Sequence, residues 1–505
     1  MDMKKILIFS AALVALASCT AKFEEINRPG GTISKADFLT DGYGPASFLV
    51  QLQNQSFPEQ ENTYQMNVDL IGNYCGRFMT YANNGFSNTN FAKMNAPEGW
   101  VRYPFADCTP KLKSAYNELM QLVEEGSVEH ALGLLFRTPA YLRLTDIYGP
   151  YPMGLVEGDD LAYSSQEDVY MALFADLDKA IEILAAHAGE RVNAAYDQVY
   201  GGDLSQWYKF ANSLKLRMAI RIRFADPEKA KRFAEEAVAA GVITDNADNC
   251  MISYNPNGQY KTSVEWGDSR ACADIEAFMN GYGDPRITQY FEPAKTEADR
   301  AIVGCPAAAN IGNKAIADNL YSAAKIGQTD RGVWMTAAEI TFCRAEGALA
   351  GWNMGGSVKD LYEQAVRLSF AQWGAGSADA YLADETSTQN DYVNVTNGYG
   401  GNYGKASTIT IKWDDQASEE VKLERLITQK WIALFPEGEE AWCEIRRTGY
   451  PKVFAPAQSN SYGLKVPNRV PFDPREAQTN KANYEKAVQL LGGSDNYATK
   501  LWWQR

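Results

Sequence analysis

Histidine, the side chain that most often serves as a general acid or base, is nearly absent from this chain. The 505 residues contain two histidines, His130 and His187, and neither lies in a recognisable catalytic motif. The chain has no HExxH metalloprotease motif and no GxSxG nucleophile motif. We therefore expect both histidines to be structural or solvent-facing.

Neighbouring acidic residues could supply the carboxyl pair of a glycoside hydrolase. Such neighbours occur at Asp159-Asp160, Asp414-Asp415 and Glu439-Glu440. A glycosidase pair meets in space rather than in sequence, so a surface hydrolase stays open as an alternative. Because a chain with 63 acidic residues contains such neighbours by chance, we favour a function without catalysis.

The cysteines other than Cys19 are scattered along the chain without CxxC spacing. They number seven and cannot all pair: Cys75, Cys108, Cys250, Cys272, Cys305, Cys343 and Cys443. Scattered single cysteines favour buried thiols over a disulfide framework or a zinc site. We expect no metal and no cofactor.

The overall charge and composition restrict the class of partner. A formal net charge of -15 argues against non-specific binding to nucleic acid or anionic lipid, since both reward clustered Lys and Arg. The chain is instead rich in aromatic residues, with 28 Tyr and 11 Trp. We expect a neutral or locally bound partner and no nucleic acid.

The elements that would position functional residues begin with an N-terminal leader. Lys4 and Lys5 precede an apolar run at residues 6–15, about half the roughly 20 residues that a helix needs to cross a bilayer. This pattern is typical of a secretory signal peptide, here residues 1–18. Leu16-Ala17-Ser18-Cys19 resembles the lipobox of bacterial lipoproteins, which implies that Cys19 carries lipid. The alternative is an ordinary secreted protein with an incidental cysteine.

The residues after Cys19 bear on where such a lipoprotein would reside. Thr20 stands where an aspartate would resemble an inner-membrane retention signal, which favours the outer membrane. Glu24 and Glu25 loosely resemble the acidic surface-export tag of Bacteroidetes lipoproteins. We expect a lipid-anchored protein on the extracellular side.

Helix start and stop signals predict a helix hairpin in the C-terminal half. Thr336 and Glu339 form a capping box, the helix runs through Leu349, and Gly351 stops it. Ser357 begins a second helix that ends near Trp373-Gly374. Further helices are predicted at 111–123, 128–147, 204–224 and 417–434.

A motif with Ala followed by Ile or Val recurs in four predicted helices. The copies are "LDKAIEIL" from Leu177, "FAEEAVAAG" from Phe233, "YEQAVRLSF" from Tyr362 and "YEKAVQLLGG" from Tyr484. A large residue packing over a small alanine is how tetratricopeptide-like pairs bring their helices close. Since the spacing is irregular, we do not expect a regular solenoid.

The segment 204–224 combines an apolar stripe with many basic residues. The stripe comprises Trp207, Phe210, Leu214, Met218 and Ile222. The basic residues are Lys209, Lys215, Arg217, Arg221 and Arg223. We interpret them as a solvated or ion-paired face and keep an anion site as the less favoured alternative.

Long stretches rich in Gly, Asn and Tyr separate the predicted helices. They cover residues 53–103, 249–331 and 375–413. Loops of this length are uncommon in a compact protein and are usually functional.

The chain resembles the SusD/RagB outer-membrane lipoproteins of Bacteroidetes. The resemblance starts with the lipobox and continues through "FEEIN" at Phe23, "LTDIYGPYPMG" from Leu144, "WYKFANSLKLRMAIRI" from Trp207, "GDPRI" from Gly283 and "MTAAEITFCRAEGALAGWNMGG" from Met335. In the C-terminal half, "LITQKWIALFPEGEEAWCEIRRTGYPKV" from Leu426, "RVPFDPREAQTN" from Arg469 and the final "LWWQR" look like the SusD-like group 2 branch. The matching segments occur in the same order over nearly the whole mature chain.

This resemblance implies an all-α fold, with residues 19–505 as a single domain of four tetratricopeptide-like helix pairs decorated by the three loop-rich insertions. It also implies a role without catalysis, in which the protein captures a nutrient, most often a glycan, at the cell surface. The implied partner is a SusC-like TonB-dependent transporter. Trp442, Arg446, Arg447 and Tyr450 would be packing and ion-pair residues near a helix end.

The resemblance also implies where a ligand would bind, on the early loop and the mid-chain insertion. Sugar rings have apolar faces ringed by hydroxyls, so they bind to aromatic platforms flanked by polar groups. The platform residues that we expect are Tyr81, Trp100, Trp266 and Tyr282. The polar residues that we expect are Asn83, Asn84, Asp268 and Arg270. Each of these aromatics could instead be a buried side chain that anchors its loop, and a peptide or another nutrient is the alternative ligand.

Overall fold

The computed structural model describes residues 42–58, 60–194, 197–296 and 299–505. The predicted leader, Cys19 and the two glutamates Glu24 and Glu25 lie outside the described residues. Residues 48–505 form one compact unit, and 42–47 are the described part of a separate unit. One apolar core extends along the larger unit from Leu49 to Trp503.

Helices make up most of the regular structure, which confirms the prediction of an all-α fold. In the first half the α-helices are α1 (Tyr43–Ser56), α2 (Glu61–Tyr64), α3 (Glu98–Tyr103), α4 (Thr109–Leu122), α5 (Val128–Tyr148), α6 (Gln166–Ala186), α7 (Leu204–Arg221) and α8 (Pro227–Ala240). In the second half they are α9 (Ala273–Gly281), α10 (Ile287–Tyr290), α11 (Lys314–Leu320), α12 (Ala337–Leu349), α13 (Val358–Gln372), α14 (Asp379–Leu382), α15 (Glu419–Ala433), α16 (Gly438–Thr448), α17 (Glu476–Thr479) and α18 (Lys481–Leu491). Wider π-helical turns occur at Gln65–Asn73, Pro104–Cys108 and Tyr260–Glu265, and 3₁₀ turns at Asn84–Phe86 and Asn246–Asp248.

Among the described residues, four short strands form two antiparallel pairs. Strand β1 (Met79–Tyr81) pairs with β3 (Ser269–Ala271). Strand β2 (Cys250–Ile252) pairs with β4 (Gly332–Met335). Both pairs join segments far apart in the chain, and each lies in or beside the loop-rich stretches, which therefore contain regular structure of their own.

The predicted helix pairs pack as neighbours. Helix α5 packs on α6, α7 on α8, and α12 on α13. The alanines of all four sequence copies are fully buried: Ala180, Ala237, Ala365 and Ala487. A buried methyl group at this position lets two helix backbones approach closely, as the motif predicted. The full set of four tetratricopeptide-like units stays a prediction.

The start of α12 follows only half of the predicted capping box. The Thr336 hydroxyl accepts a hydrogen bond from the Glu339 backbone N–H at 3.1 Å. The Glu339 carboxylate does not complete the box, because it accepts two hydrogen bonds of 2.6 Å from Arg217 of α7. A tertiary ion pair thus replaces the local cap.

The basic residues of segment 204–224 form ion pairs. This is one of the interpretations that the sequence left open for them. Arg221 is buried and bonds to Asp146 of α5 and Glu440 of α16. Arg223 contacts Glu346 of α12, whose carboxylate also receives Arg447 of α16. Buried charges persist only when paired, and here acids from three helices surround one set of arginines.

Helix α16 confirms the packing roles expected for its residues. Trp442 is fully buried and its indole N–H donates to the Pro467 carbonyl at 2.8 Å. The Arg446 guanidinium lies 3.4 Å from the centroid of the Trp442 ring.

The seven described cysteines are all free and buried, as expected of scattered thiols.

Candidate functional site

Two of the three loop-rich stretches meet through the β1/β3 pair. In its register Met79 faces Ala271, Thr80 faces Arg270 and Tyr81 faces Ser269. The ladder continues past the strands, where the Ala82 backbone N–H donates to the Asp268 carbonyl at 2.7 Å. The residues just after β1 are therefore held against the residues just before β3.

The Asp268 carboxylate joins three segments at this point. Its Oδ1 accepts hydrogen bonds from Asn83 Nδ2 at 2.8 Å and from Lys314 Nζ at 2.7 Å. Its Oδ2 accepts one from Gln65 Nε2 at 3.1 Å. Asp268 is 8% exposed, so this junction lies at the edge of the protein surface.

Trp266 is a half-buried aromatic beside the junction. It follows the π-helical turn Tyr260–Glu265, and its backbone N–H donates to the Lys261 carbonyl at 2.8 Å. The Lys261 ammonium lies 5.4 Å from its ring centroid. Lys314 of α11 donates to the Trp266 carbonyl and so ties this residue to Asp268.

Two exposed aliphatic residues lie in the segments that meet at the junction. Val264, two residues before Trp266, is 42% exposed, and Ile316 of α11 is 50% exposed. Exposed apolar side chains of this kind are suited to the apolar face of a ligand.

Trp100, in α3 at the end of the loop-rich stretch 53–103, is a second half-buried aromatic. Its ring packs edge-on against Phe86 with centroids 5.0 Å apart, and Phe91 lies 6.3 Å away. Phe86 ends the 3₁₀ turn that Asn83 caps, since Asn83 Oδ1 accepts from the Gly85 N–H at 2.8 Å. Asn84 is exposed in the same turn.

Arg270 binds together the segments that form the junction. It is buried, and its Nη1 donates to the carbonyls of Ser263 at 2.7 Å and Ser269 at 2.8 Å. Its Nη2 pairs with Asp318 of α11 at 3.0 Å. Burial lowers the pKa of this guanidinium, and the neighbouring Asp318 partly offsets that shift.

Gly267 favours this arrangement because its backbone conformation is one that residues with a side chain rarely adopt. Its φ of +68° favours glycine, and a Cβ there would lie 2.9 Å from Asp318 Oδ2 and 3.3 Å from Arg270 Nη2. The turn between Trp266 and Asp268 therefore depends on the absence of a side chain.

Comparisons with known proteins decide the family. A model of the SusD-like family, described as Susd and RagB outer membrane lipoprotein, matches residues 25–504. The chain belongs to the SusD-like family.

Solved structures of other SusD-like proteins agree closely with this fold. A SusD homologue from Bacteroides uniformis is 38% identical with a TM-score of 0.86, over 92% of this chain and 100% of that one. A SusD-like protein from Bacteroides thetaiotaomicron is 38% identical with a TM-score of 0.87, over 91% and 98%. A chitin-binding SusD homologue from Flavobacterium johnsoniae is 34% identical with a TM-score of 0.84, also over 91% and 98%. A comparison with curated proteins found no significant match.

Two of the predicted platforms do not fit the structure of this SusD-like chain. Tyr81 is fully buried in β1, and its hydroxyl donates to the Ala309 carbonyl at 2.5 Å. Tyr282 is also buried, with its hydroxyl donating to the Ile409 carbonyl at 3.0 Å and its ring near Tyr381. Neither ring offers a face to a ligand, because each anchors its loop to the core.

The other six predicted residues fall into three roles. Trp100 and Trp266 are half-exposed aromatics, and Asn84 is an exposed amide. Asn83 and Asp268 are bonded to each other at the junction. Arg270 is buried beneath it and positions the loops rather than facing solvent.

Three residues at the Asp268 junction or beside Trp100 were not predicted from the sequence: Gln65, Phe86 and Lys314. Phe86 could have been found, since it lies in the same Asn- and Gly-rich stretch as Asn83 and Asn84. Gln65 and Lys314 carry no local signal, because only the fold brings them to Asp268.

A buried acid lies in the π-helical turn that packs against β1. Asp69 accepts hydrogen bonds from Asn73 Nδ2 at 3.0 Å and from the Ser269 hydroxyl. Burial raises the pKa of the Asp69 carboxyl to about 6, although both hydrogen bonds act in the opposite direction. This network fixes β3 to the Gln65–Asn73 turn under the junction.

Proposed function

We propose that this chain captures a glycan at the cell surface, on the loop surface around Asp268, and passes it to a SusC-like TonB-dependent transporter. The observation that carries the proposal is the Asp268 junction. Asp268 bonds to Asn83 in the stretch that also contains Trp100, and Lys314 bonds to both Asp268 and the Trp266 carbonyl. The two loop-rich stretches are thereby held in one fixed arrangement.

The chemistry of this surface suits a sugar. Half-exposed indole rings can stack on the apolar face of a sugar ring, while Asn84 and Lys314 can bond to its hydroxyls. The SusD homologue from Flavobacterium johnsoniae is described as chitin-binding, which supports a glycan as the ligand class.

The expected affinity is modest. If each stacked aromatic contributes about 1 kcal/mol, two platforms and a few hydrogen bonds give millimolar to micromolar binding after the costs of association. Weak capture suits a protein that must release its ligand to a transporter.

The carboxyl groups near this surface favour binding over hydrolysis. Asp268 accepts three internal hydrogen bonds, and Asp69 is fully buried with two. A glycosidase needs two carboxyl groups that both face the scissile bond. Of the acidic neighbours noted in the sequence, Glu439 and Glu440 are half-buried, and Glu440 pairs with Arg217 and Arg221 of α7.

A panel of soluble glycans and peptides tests this proposal. The secreted form of the protein, without its lipid, is run through native gels that contain each glycan, and the glycan is then checked for shortened products. We expect retardation by at least one glycan, which is recovered intact. Released sugar would establish an enzyme, and binding to peptides alone would establish the alternative ligand class.

Alanine substitutions test the position of the site. Trp100→Ala and Trp266→Ala should each weaken capture about fivefold, the equivalent of about 1 kcal/mol, without loss of folding. Trp502→Ala is the matched control, since it removes a half-buried indole that packs on Tyr170 of α6. Unchanged affinity in both site variants would refute the assigned surface but not glycan binding itself.

A further inference from the structure

The short segment around Asn310 is bonded to both loop-rich stretches of the loop surface. The carbonyls on either side of Asn310 accept hydrogen bonds from the hydroxyls of Tyr81 at 2.5 Å and Ser87 at 2.9 Å. Further along the segment, Lys314 donates to the Trp266 carbonyl. Asn310 is therefore held between the early loop and the start of α11.

The side chain of Asn310 is an amide that is free to bind a ligand. It is exposed and has no hydrogen-bond partner in the described part of the chain. The amides of Asn84 and Asn88 in the early loop are exposed and unbonded in the same way. An amide both donates and accepts hydrogen bonds, as a sugar hydroxyl does. Free amides on a surface with half-buried indoles are suited to the hydroxyls and the apolar face of an uncharged ring.

The two cations at the Asp268 junction are engaged with acids. Lys314 Nζ lies 2.7 Å from Asp268 Oδ1, and Arg270 Nη2 lies 3.0 Å from Asp318 Oδ1. A ligand carboxylate or sulfate could bind either cation only by displacing the acid that holds it, which would leave that acid unpaired. The junction thus offers an anionic sugar no net attraction.

The cation nearest to the Trp266 ring is paired as well. The Lys261 ammonium lies 5.4 Å from the ring centroid. It also lies 2.6 Å from Glu265 and 3.1 Å from Glu61, so two acids share one base. The charge around this indole is therefore negative on balance, and it disfavours an anion stacked on the ring.

The early loop holds one cation and one acid that lack a salt-bridge partner among the described residues. Lys93 donates to the Ser87 carbonyl, which engages its ammonium without neutralising it. Glu98, two residues before Trp100, is exposed. These two charges offset each other, so among all the charged side chains of the loop surface the acids outnumber the bases.

We propose that the loop surface selects uncharged glycans over glycans with carboxylate or sulfate groups, and that the Asn310 amide is one of the groups that bind the sugar. This inference rests on the proposed function and narrows its ligand class. A neutral ring finds free amides and half-buried indoles. A charged ring would lose water without gaining a free counter-charge.

Derivatives of one glycan test the selectivity. The secreted protein without its lipid is first run through native gels that contain neutral polysaccharides or anionic ones, such as polygalacturonate and chondroitin sulfate. The polymer that retards it most is then converted into carboxymethyl and hydroxyethyl derivatives of equal substitution, which differ in charge but little in bulk. We expect a neutral polymer to bind best. The carboxymethyl derivative should bind at least about tenfold more weakly than the hydroxyethyl derivative.

Salt provides a second measurement of the same property. Calorimetric titration at about 50 mM and about 500 mM NaCl should give nearly equal Kd values for the neutral glycan, because salt screens charges and leaves stacking and amide contacts unchanged.

Substitutions test the role assigned to Asn310. Asn310→Ala should raise the Kd for the neutral glycan several-fold and leave Tm unchanged, since its side chain has no internal partner. Asn88→Ala should act in the same direction. Asn353→Ala, which removes an exposed amide from the turn between α12 and α13, is the matched control and should bind like the wild type.

Several results would overturn this inference while the proposed function stands. They are a preference for an anionic polymer, equal binding of the two derivatives, and a Kd that rises more than about tenfold with salt. Equal affinities of Asn310→Ala and Asn353→Ala would remove Asn310 from the site. A protein that is retarded by no glycan would refute the proposed function and this inference together.

Discussion

At the scale of single residues, burial separates the candidate ligand-binding aromatics from structural ones. Tyr81 and Trp100 lie in the same early loop, yet Tyr81 is fully buried and Trp100 is partly exposed. The difference comes from β1, which pairs with β3 and buries all three of its residues. A polar residue, Asp268, then joins Asn83 of the early loop to the segment that holds the half-buried Trp266.

Asp268→Asn should weaken glycan capture several-fold and destabilise the fold by about 1–2 kcal/mol. An amide keeps one acceptor but points its own donor at Asn83, Lys314 or Gln65, which are all donors to this side chain. Affinity electrophoresis and urea unfolding measure the two effects.

Asp384→Asn is the matched control for that substitution. Asp384 also accepts several hydrogen bonds, but all come from Thr386 and Ser387 in its own turn. Capture should stay at the wild-type level in this variant. Equal losses in both variants would show that the Asp268 junction has no special role.

Glu439 should make the stability of the protein depend on pH. Burial raises the pKa of this carboxyl from 4.5 to about 8, with Arg143 acting in the opposite direction. Between these values the unfolded chain has released the proton and the folded protein keeps it, so the free energy of unfolding falls as pH rises from about 4.5 to about 8. Glu439→Gln should remove that part of the slope.

Urea unfolding of the wild-type protein and of Glu439→Gln at pH 5, 7 and 9 measures this effect. The difference between the two proteins isolates Glu439 from Asp69 and Glu276, whose carboxyl pKa values burial also raises, to about 6 and about 7. The variant should gain stability relative to the wild type as pH rises, by on the order of a few kcal/mol. Parallel curves would contradict the assignment.

At the scale of elements, two helical segments pack closely because glycines face each other. The π-helical turn Gln65–Asn73 lies against α16. A Cβ on Gly76 would be 2.2 Å from the Gly438 carbonyl oxygen, and one on Gly72 would be 2.8 Å from the Glu439 nitrogen. This contact sets the position of the turn that contributes Gln65 to the Asp268 junction and the buried Asp69 beneath it.

Gly76→Ala should lower the free energy of unfolding by on the order of 2–3 kcal/mol, because backbone must move to admit the methyl group. Gly99→Ala is the control: it lies in α3 and a Cβ there meets nothing within 4 Å. That control should be neutral or slightly stabilising, since alanine favours a helix over glycine. Thermal unfolding compares the two. A Gly76→Ala protein as stable as the control would show that the contact is looser than the structure indicates.

At the scale of the whole molecule, the predicted membrane anchor lies outside the described residues. Within residues 42–58, 60–194, 197–296 and 299–505, no helix is both long enough and apolar enough to cross a bilayer. The family is one of outer-membrane lipoproteins, and the chain has a lipobox-like cysteine at Cys19. Lipid on Cys19 therefore remains our prediction for the anchor.

Cys19→Ser should move the protein from the membrane fraction to the soluble fraction of cells that express the full chain. Labelling with a radioactive fatty acid should be lost at the same time, because serine offers no thiol to acylate. Cys75→Ser, which alters a buried thiol, is the control and should remain membrane-bound. Membrane attachment of Cys19→Ser would show that another feature anchors the chain.

The sequence by itself determined the all-α class, the helix hairpin at 337–372, the buried alanines of the recurring motif and the family. The hairpin and the alanine motif depend on neighbours within one helix, where a capping serine or a small residue at a fixed spacing acts over a few positions. The family rests on motifs that occur in order along nearly the whole mature chain. The choice of the early loop and the mid-chain insertion as the ligand surface came from the family resemblance, and it stays a prediction.

The tertiary structure decided which residues of those loops face water and which partners they have. It removed Tyr81 and Tyr282 as platforms and added Gln65 and Lys314, since an aromatic in a loop looks the same in the sequence whether it is exposed or buried. It also showed that basic residues of α7 form buried ion pairs with acids of other helices. Pairing and burial depend on residues up to hundreds of positions away, which a local pattern does not record.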